Sequence, residues 1–144
     1  MKWAPNDCKS GDMIRIRLGS IYHYGIFVSE DEVIQFGYPP LPEFKDKNQN
    51  ITVDSVSIDE FSSGKIVEVA VLDRKEKKRR FPPEKTVELA RAKIGTGGYN
   101  ILHNNCEHFC YECVFGVKKS TQEEYIRLMW QSMLFKDGKD NSQD

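Results

Sequence analysis

No run of apolar residues in this sequence approaches the ~18 needed for a membrane-spanning helix, and the mean hydropathy of -0.58 agrees with that. Residues Met1 to Ser10 hold Asp7 and Lys9 but no apolar core, so they do not read as a signal peptide. An excess of charge is missing as well. With 21 Lys and Arg against 22 Asp and Glu, the net charge of -1 implies no general affinity for nucleic acid. Cysteine is scarce: Cys8 stands alone, and Cys106, Cys110 and Cys113 lie too close together for loop-closing disulfides. Free thiols fit a reducing, cytoplasmic compartment and direct attention to metal binding or nucleophilic chemistry. Internal repeats and linkers are absent. At 144 residues, 39% hydrophobic and 30% charged, the chain fits one globular domain that needs neither metal nor disulfide to hold a core.

Two hydrophobic periods divide what is present. Met13 to Leu18 alternates Ile14, Ile16 and Leu18 with Arg15 and Arg17, the period of a half-buried strand. His23 to Val28 and Glu32 to Phe36 read as a hairpin around Ser29-Glu30-Asp31. Pro39, Pro40 and Pro42 make Gly37 to Asn50 a loop, followed by a short strand at Ile51 to Val56. Ile66 to Leu72, nearly continuous in β-branched residues, reads as the central strand. Beyond Pro82-Pro83 the period becomes helical: Val87, Ala90 and Ile94 mark a helix over 84–94, stopped by Gly95. Cys106, Phe109, Cys110, Cys113, Val114 and Val117 form the stripe of an amphipathic helix over 105–117. Asn104, with Glu107 three residues on, reads as its capping box. A last amphipathic stretch, Glu123 to Phe135, completes a domain over 1–135, and the polar tail 136–144 is expected to be disordered. The expected fold is α+β, an antiparallel sheet packed against helices.

A cysteine in the first turn of a helix faces free backbone N–H groups and the positive end of the macrodipole, which favour its thiolate. Cys106 has that place, so it is expected to be the most reactive of the four thiols. The N–H groups at Asn105 and Glu107 would also receive the oxyanion of a tetrahedral intermediate. Against this stands packing, because Cys106 is in phase with the apolar stripe, and Cys110 and Cys113 read as core. Cys110-x-x-Cys113 on one regular helix makes a poor metal site, and no metal is expected. Of the histidines, His108 lies two residues from Cys106, points off the stripe and is expected at the surface, while His103 is in a loop. His23 opens a strand among apolar neighbours, where an ionisable group is hard to justify by packing, so it is the better base.

Asn105-Cys106-Glu107-His108-Phe109 at a helix start, after Tyr99-Asn100-Ile101-Leu102 and a Gly-terminated helix, joins Gly11-Asp12 and His23-Tyr24-Gly25-Ile26-Phe27-Val28 in one order. From about Gly11 to Gly116 the chain resembles the lecithin retinol acyltransferase family, which includes the H-ras-like suppressor phospholipase/acyltransferases. The resemblance implies a circularly permuted papain-like (NlpC-type) fold, in which a strand histidine precedes the helix cysteine. It implies that Cys106 attacks a lipid ester to form a thioester, that His23 moves the proton, and that the acyl group passes to water or an acceptor without a cofactor. The family's third polar residue, usually a second histidine, falls at Gln35, which would orient the imidazole. Two other readings accompany this one, a permuted papain-type cysteine peptidase or amidase and a binding module that has lost turnover. Side chains alternate along strands, so His23 and Gln35 share a face only if the hairpin has an odd loop or a bulge. Many family members also carry a C-terminal transmembrane helix, which this sequence does not show. The basic run through Lys75 to Arg80, and the last helix with Tyr125, Ile126, Leu128, Met129, Trp130, Met133, Leu134 and Phe135, would give peripheral membrane contact. A solvated loop and a helix docked on the core are the preferred readings of those two segments.

Overall fold

A computed structural model describes the backbone of residues 1–141 and the side chains of residues 1–134. Its centre is one antiparallel sheet of β1 (Lys2–Ala4), β2 (Met13–Leu18), β3 (Ile21–Ser29), β4 (Glu32–Phe36), β5 (Val53–Val56) and β6 (Glu68–Val71), in the order β1-β6-β2-β3-β4-β5. The α+β class is as expected. The central strands are β2 and β3, so the Ile66 to Leu72 run is not the centre of the sheet: only Glu68–Val71 is strand, and it lies between β1 and β2. An apolar run reports burial and carries no strand order. Here Ile66 is exposed and Val69 is the residue that reaches the core.

Alternation along β3 divides the molecule into two cores. Tyr24 and Ile26 join Met13, Ile34 and Phe36 against the helices α3 (Pro83–Ala92) and α4 (Cys106–Phe115). Phe27 faces the other way, with Ile14, Ile16, Val33, Val69 and Phe61. Phe61 belongs to α1 (Ile58–Ser62), a single turn that the sequence reading missed. Its signal was present: Ser57 with Glu60 three residues on has capping-box spacing, and the Ser57 hydroxyl accepts from the Glu60 N–H at 3.1 Å.

The basic run is also helix and not loop. In α2 (Arg74–Arg79), Asp73 and Glu76 form a complete capping box, which sets a first turn despite the density of cations. Lys75, Lys77, Lys78 and Arg79 are exposed, but Arg80 is withdrawn from any membrane role. Its guanidinium donates to the Phe81 and Gly11 carbonyls and to Thr86 Oγ1 at 2.7, 3.0 and 3.1 Å. The last helix, α5 (Glu123–Asn141), docks through buried Ile126 and leaves Tyr125, Leu128 and Leu134 exposed. The side chain of Phe135 lies outside the described residues. So do residues 142–144 of the expected tail, whose backbone from 136 to 141 continues α5. Among the described residues, no helix is long and apolar enough to cross a membrane.

Gly11 shows how tightly the sheet meets α3. At φ +91° it occupies the left-handed region, and a Cβ there would lie 2.8 Å from the Pro83 backbone. Gly64 has a similar φ of +79° with open space around it. Gly64→Ala is therefore expected to cost about 1 kcal/mol of backbone strain, and Gly11→Ala about 3 kcal/mol because strain and clash combine. Urea unfolding of both variants measures the difference.

Candidate functional site

The α4 terminus is built one residue later than the sequence indicated. Asn105 is the cap: its Oδ1 accepts from the Glu107 and His108 N–H groups at 3.0 and 3.4 Å, and its own N–H donates to His108 Nδ1 at 3.1 Å. Asn104 instead exchanges two backbone hydrogen bonds with Asn100 and donates its amide to the Gly98 carbonyl. The expectation of a surface His108 is corrected by the same cap, which draws the ring inward until 4% remains exposed. Burial lowers the His108 pKa, an effect partly opposed by Glu123 and Glu107. The Asn105 and Glu107 N–H groups, expected to receive an oxyanion, are thus already bonded, to His108 Nδ1 and to Asn105 Oδ1.

Glu107 is buried and bonded throughout. Ser120 Oγ, the Thr121 N–H and Thr121 Oγ1 donate to its carboxylate at 2.9, 3.0 and 2.6 Å, tying α4 to the segment before α5. With Glu107, His108 and Tyr111 all inside, α4 is buried nearly all round, whereas Val117 lies beyond its Gly116 cap and is exposed. Cys110 and Cys113 are core residues, and His103 is exposed beside Glu123 at 3.5 Å.

Cys106 is the first residue of α4 and is 0% exposed. Burial pushes its thiol up to about 12, opposed by hydrogen bonding from the Tyr24 backbone and from the Glu107 and Cys106 N–H groups, with Glu107 adding to the rise. The helix end favours the thiolate as expected, but desolvation outweighs it. Cys8, half-exposed, is the accessible thiol.

His23 and Gln35 do share a face. The β3–β4 register shifts between Phe27 and Ser29, a bulge that brings Gln35 Oε1 to 3.0 Å from His23 Nε2. Phe61 stacks on the imidazole with centroids 5.3 Å apart and planes 28° apart, and Gly25 makes room for that ring, since a Cβ there would meet Phe61 at 2.9 Å. Burial lowers His23 to about 4, against the Gln35 hydrogen bond, so the ring is neutral at pH 7. Its Nδ1 is buried without a hydrogen-bond partner among the described residues. His23 and Gln35 line a cleft of about 390 Å³ with Ile16, Leu18, Phe61 and Asp54.

Asp54 was not foreseen. It is the cross-strand partner of Gln35 on β5, and burial raises its acid, with Gln35 opposing the rise and Glu60 adding to it. Nothing in the local pattern marks Asp54, because its partner depends on where the proline-containing loop lets β5 begin.

By alternation, His23 faces the Phe61 side of the sheet while Cys106 belongs to the other core. The expected thiol partner for Nδ1 is therefore not bonded to it. Both border one gap in the sheet: the β3–β4 ladder ends at Ile26↔Ile34, although β3 extends back to Ile21 and β4 on to Phe36. Alternation of ladder bonds aims the Tyr24 N–H into that gap, where it meets Cys106. The His23–Gln35 bond spans the same gap one residue away.

An α+β chain with a strand histidine ahead of a helix-capping Asn-Cys pair defines the class of protein. Residues 6–119 match the lecithin retinol acyltransferase family, to which the chain belongs. Lecithin retinol acyltransferase of Mus musculus is 27% identical over 136 residues, covering 79% of this chain and 57% of the relative. The Bos taurus protein of that name is 28% identical over 133 residues with the same coverage, and that of Homo sapiens 26% identical over 134. The chain thus spans a little over half the length of these relatives.

Two outcomes follow. Limiting iodoacetamide should label Cys8 ahead of buried Cys106, read by peptide mapping, which reverses the reactivity order drawn from helix position alone. For His23, a folded pKa of about 4 against 6.5 unfolded means that the unfolded chain binds more protons between those values, so stability falls as pH drops through the window. Between pH 7 and 5 the wild type should lose about 2 kcal/mol more than His23→Asn. Urea unfolding at both pH values gives that difference.

Proposed function

We propose that this chain is a thiol-dependent acyltransferase or hydrolase acting on a lipid ester, with Cys106 as nucleophile, His23 as base and Gln35 as the residue that orients His23. The observation that carries the reading is the state of the imidazole. Gln35 Oε1 can accept a hydrogen bond only if His23 Nε2 is protonated, and this leaves the buried, unpartnered Nδ1 with a free lone pair beside the gap where Cys106 lies. With the thiol pushed up to about 12 and the imidazole down to about 4, the resting pair is neutral. Nδ1 therefore takes the Sγ proton as the S–C bond forms, and does not wait beside a preformed thiolate.

The tetrahedral oxyanion would be received by the Tyr24 and Cys106 N–H groups that already favour the thiolate, in place of the Asn105 and Glu107 pair expected at the helix end, whose N–H groups are bonded within the cap. Nδ1–H then protonates the departing alcohol, leaving a Cys106 thioester. Water or an acceptor alcohol or amine attacks that thioester after losing its proton to Nδ1, and the released thiolate recovers the proton. No cofactor enters. The Ile16, Leu18 and Phe61 walls of the His23 cleft suit an acyl chain, and the names of the curated relatives pair a phospholipid with retinol. We read the arrangement, strand histidine before helix cysteine, as permuted papain-like.

One observation favours a binding module instead: Cys106 is fully enclosed. Intact mass after incubation with phospholipid vesicles separates the two. A fatty-acyl adduct is expected on wild type and none on Cys106→Ala, and a wild type that never acylates while binding vesicles selects the module. Within the enzyme reading, Gln35→Ala should slow single-turnover acylation by on the order of tenfold and Gln35→His should preserve it. Unchanged acylation in Gln35→Ala reduces the unit to a Cys106–His23 dyad.

A further inference from the structure

The Gln35 amide has two ends, and the mechanism works with only one orientation. With Oε1 toward His23, the ring is protonated at Nε2 and Nδ1 is a base. With the amide turned by 180°, its NH₂ would donate to Nε2, the proton would sit on Nδ1, and the ring could not accept from a thiol. The two orientations are nearly isosteric, so packing does not choose between them. The chooser lies across the strand pair: Asp54 is in register with Gln35, on the same face and lining the same cleft. Directly opposed side chains of an antiparallel pair are in contact range.

We propose that Asp54 is a positioning residue whose carboxylate fixes the Gln35 amide, and through it the His23 tautomer. An ionised carboxylate only accepts, so it holds the NH₂ toward itself and leaves Oε1 for His23. The reversed amide would set Oε1 against the carboxylate, an unfavourable pairing of acceptors. Gln35 Oε1 already lies 3.0 Å from His23, and Asp54 stands at the exposed rim of the cleft, where substitutions do not disturb the core. The assignment rests on His23 as the base of the proposed reaction, but the tautomer itself is observable without turnover.

The test is a graded series at position 54, read by long-range ¹H–¹⁵N correlation of the histidine-labelled full chain at pH 7. Wild type, with an acceptor only, should show His23 protonated at Nε2. Asp54→Asn, which both accepts and donates, should give a mixture. Asp54→Lys, a donor only, should invert the preference to Nδ1–H, and Asp54→Glu should restore the wild-type state. Single-turnover acylation of vesicle lipid should follow the Nε2–H population, falling about twofold in Asp54→Asn and about tenfold in Asp54→Lys, with the lipid concentration at half-maximal rate unchanged. In a Gln35→Ala background, none of the three substitutions should shift the tautomer. The same tautomer in all four proteins overturns the proposal, and so does a fall in acylation without a change of tautomer. If the tautomers follow the series while wild type forms no thioester, the role of Asp54 stands and the acyl-transfer reading fails.

Discussion

The site depends on β3 and β4 parting beyond the Ile26–Ile34 pair. Had the ladder continued, Tyr24 would pair with Phe36, its N–H would be spent on a carbonyl, and the sheet would close between the two cores. The bulge between Phe27 and Ser29 sets the register in which His23 and Gln35 become diagonal neighbours on one face. The side-chain bond between them then takes over where backbone pairing stops. On the other side of the same opening, the freed Tyr24 N–H meets Cys106. One local irregularity thus brings Gln35 to the imidazole and opens the sheet where the Tyr24 N–H meets Cys106.

Burial decides the resting chemistry of this pair. A helix end contributes up to ~2 kcal/mol toward a thiolate in a favourable geometry, while full burial shifts the pKa of a titratable group by up to ~3–5, which outweighs it. Cys106 and His23 both follow burial, in opposite directions: the acid is weakened, the base is weakened, and both are neutral. Phe61 adds to that by covering the imidazole face. In the proposed reaction such a neutral pair gains nothing from separation of charge until a carbonyl is in place to take up the negative end, so the proton transfer would be tied to attack. The enclosure that makes Cys106 a poor general nucleophile also keeps it from adventitious alkylation.

Much of this was legible because it rests on period and parity. β2 and β4 have the expected limits, and parity alone required an irregular hairpin if His23 was to reach Gln35. What failed depended on tertiary partners. His108 was assigned to solvent because it lies off the apolar stripe, but a helix that also buries Glu107 and Tyr111 has no dry and wet sides to distinguish. Glu107 can be inside only because Ser120 and Thr121 satisfy it, and their meeting is set by the turn into α5. The choice of Asn105 over Asn104 as cap was a difference of one residue, decided when Asn104 paired with Asn100. β1, three residues long, is too short to show a period.

Glutamine at position 35 changes the problem that the third residue has to solve. A histidine there, as the family resemblance led one to expect, brings its own proton equilibrium, and its bond to His23 changes with pH. An amide carries no such equilibrium, and its bond to His23 is therefore insensitive to pH so long as its orientation is held. What it loses is a built-in direction, because its two ends differ in chemistry and hardly in shape. In the proposed arrangement direction comes from outside the pair, through a β5 register that places a carboxylate opposite position 35. On that proposal, orientation of His23 would be a property of three strands, β3, β4 and β5, and the loop that sets where β5 begins would become part of what determines the tautomer of His23.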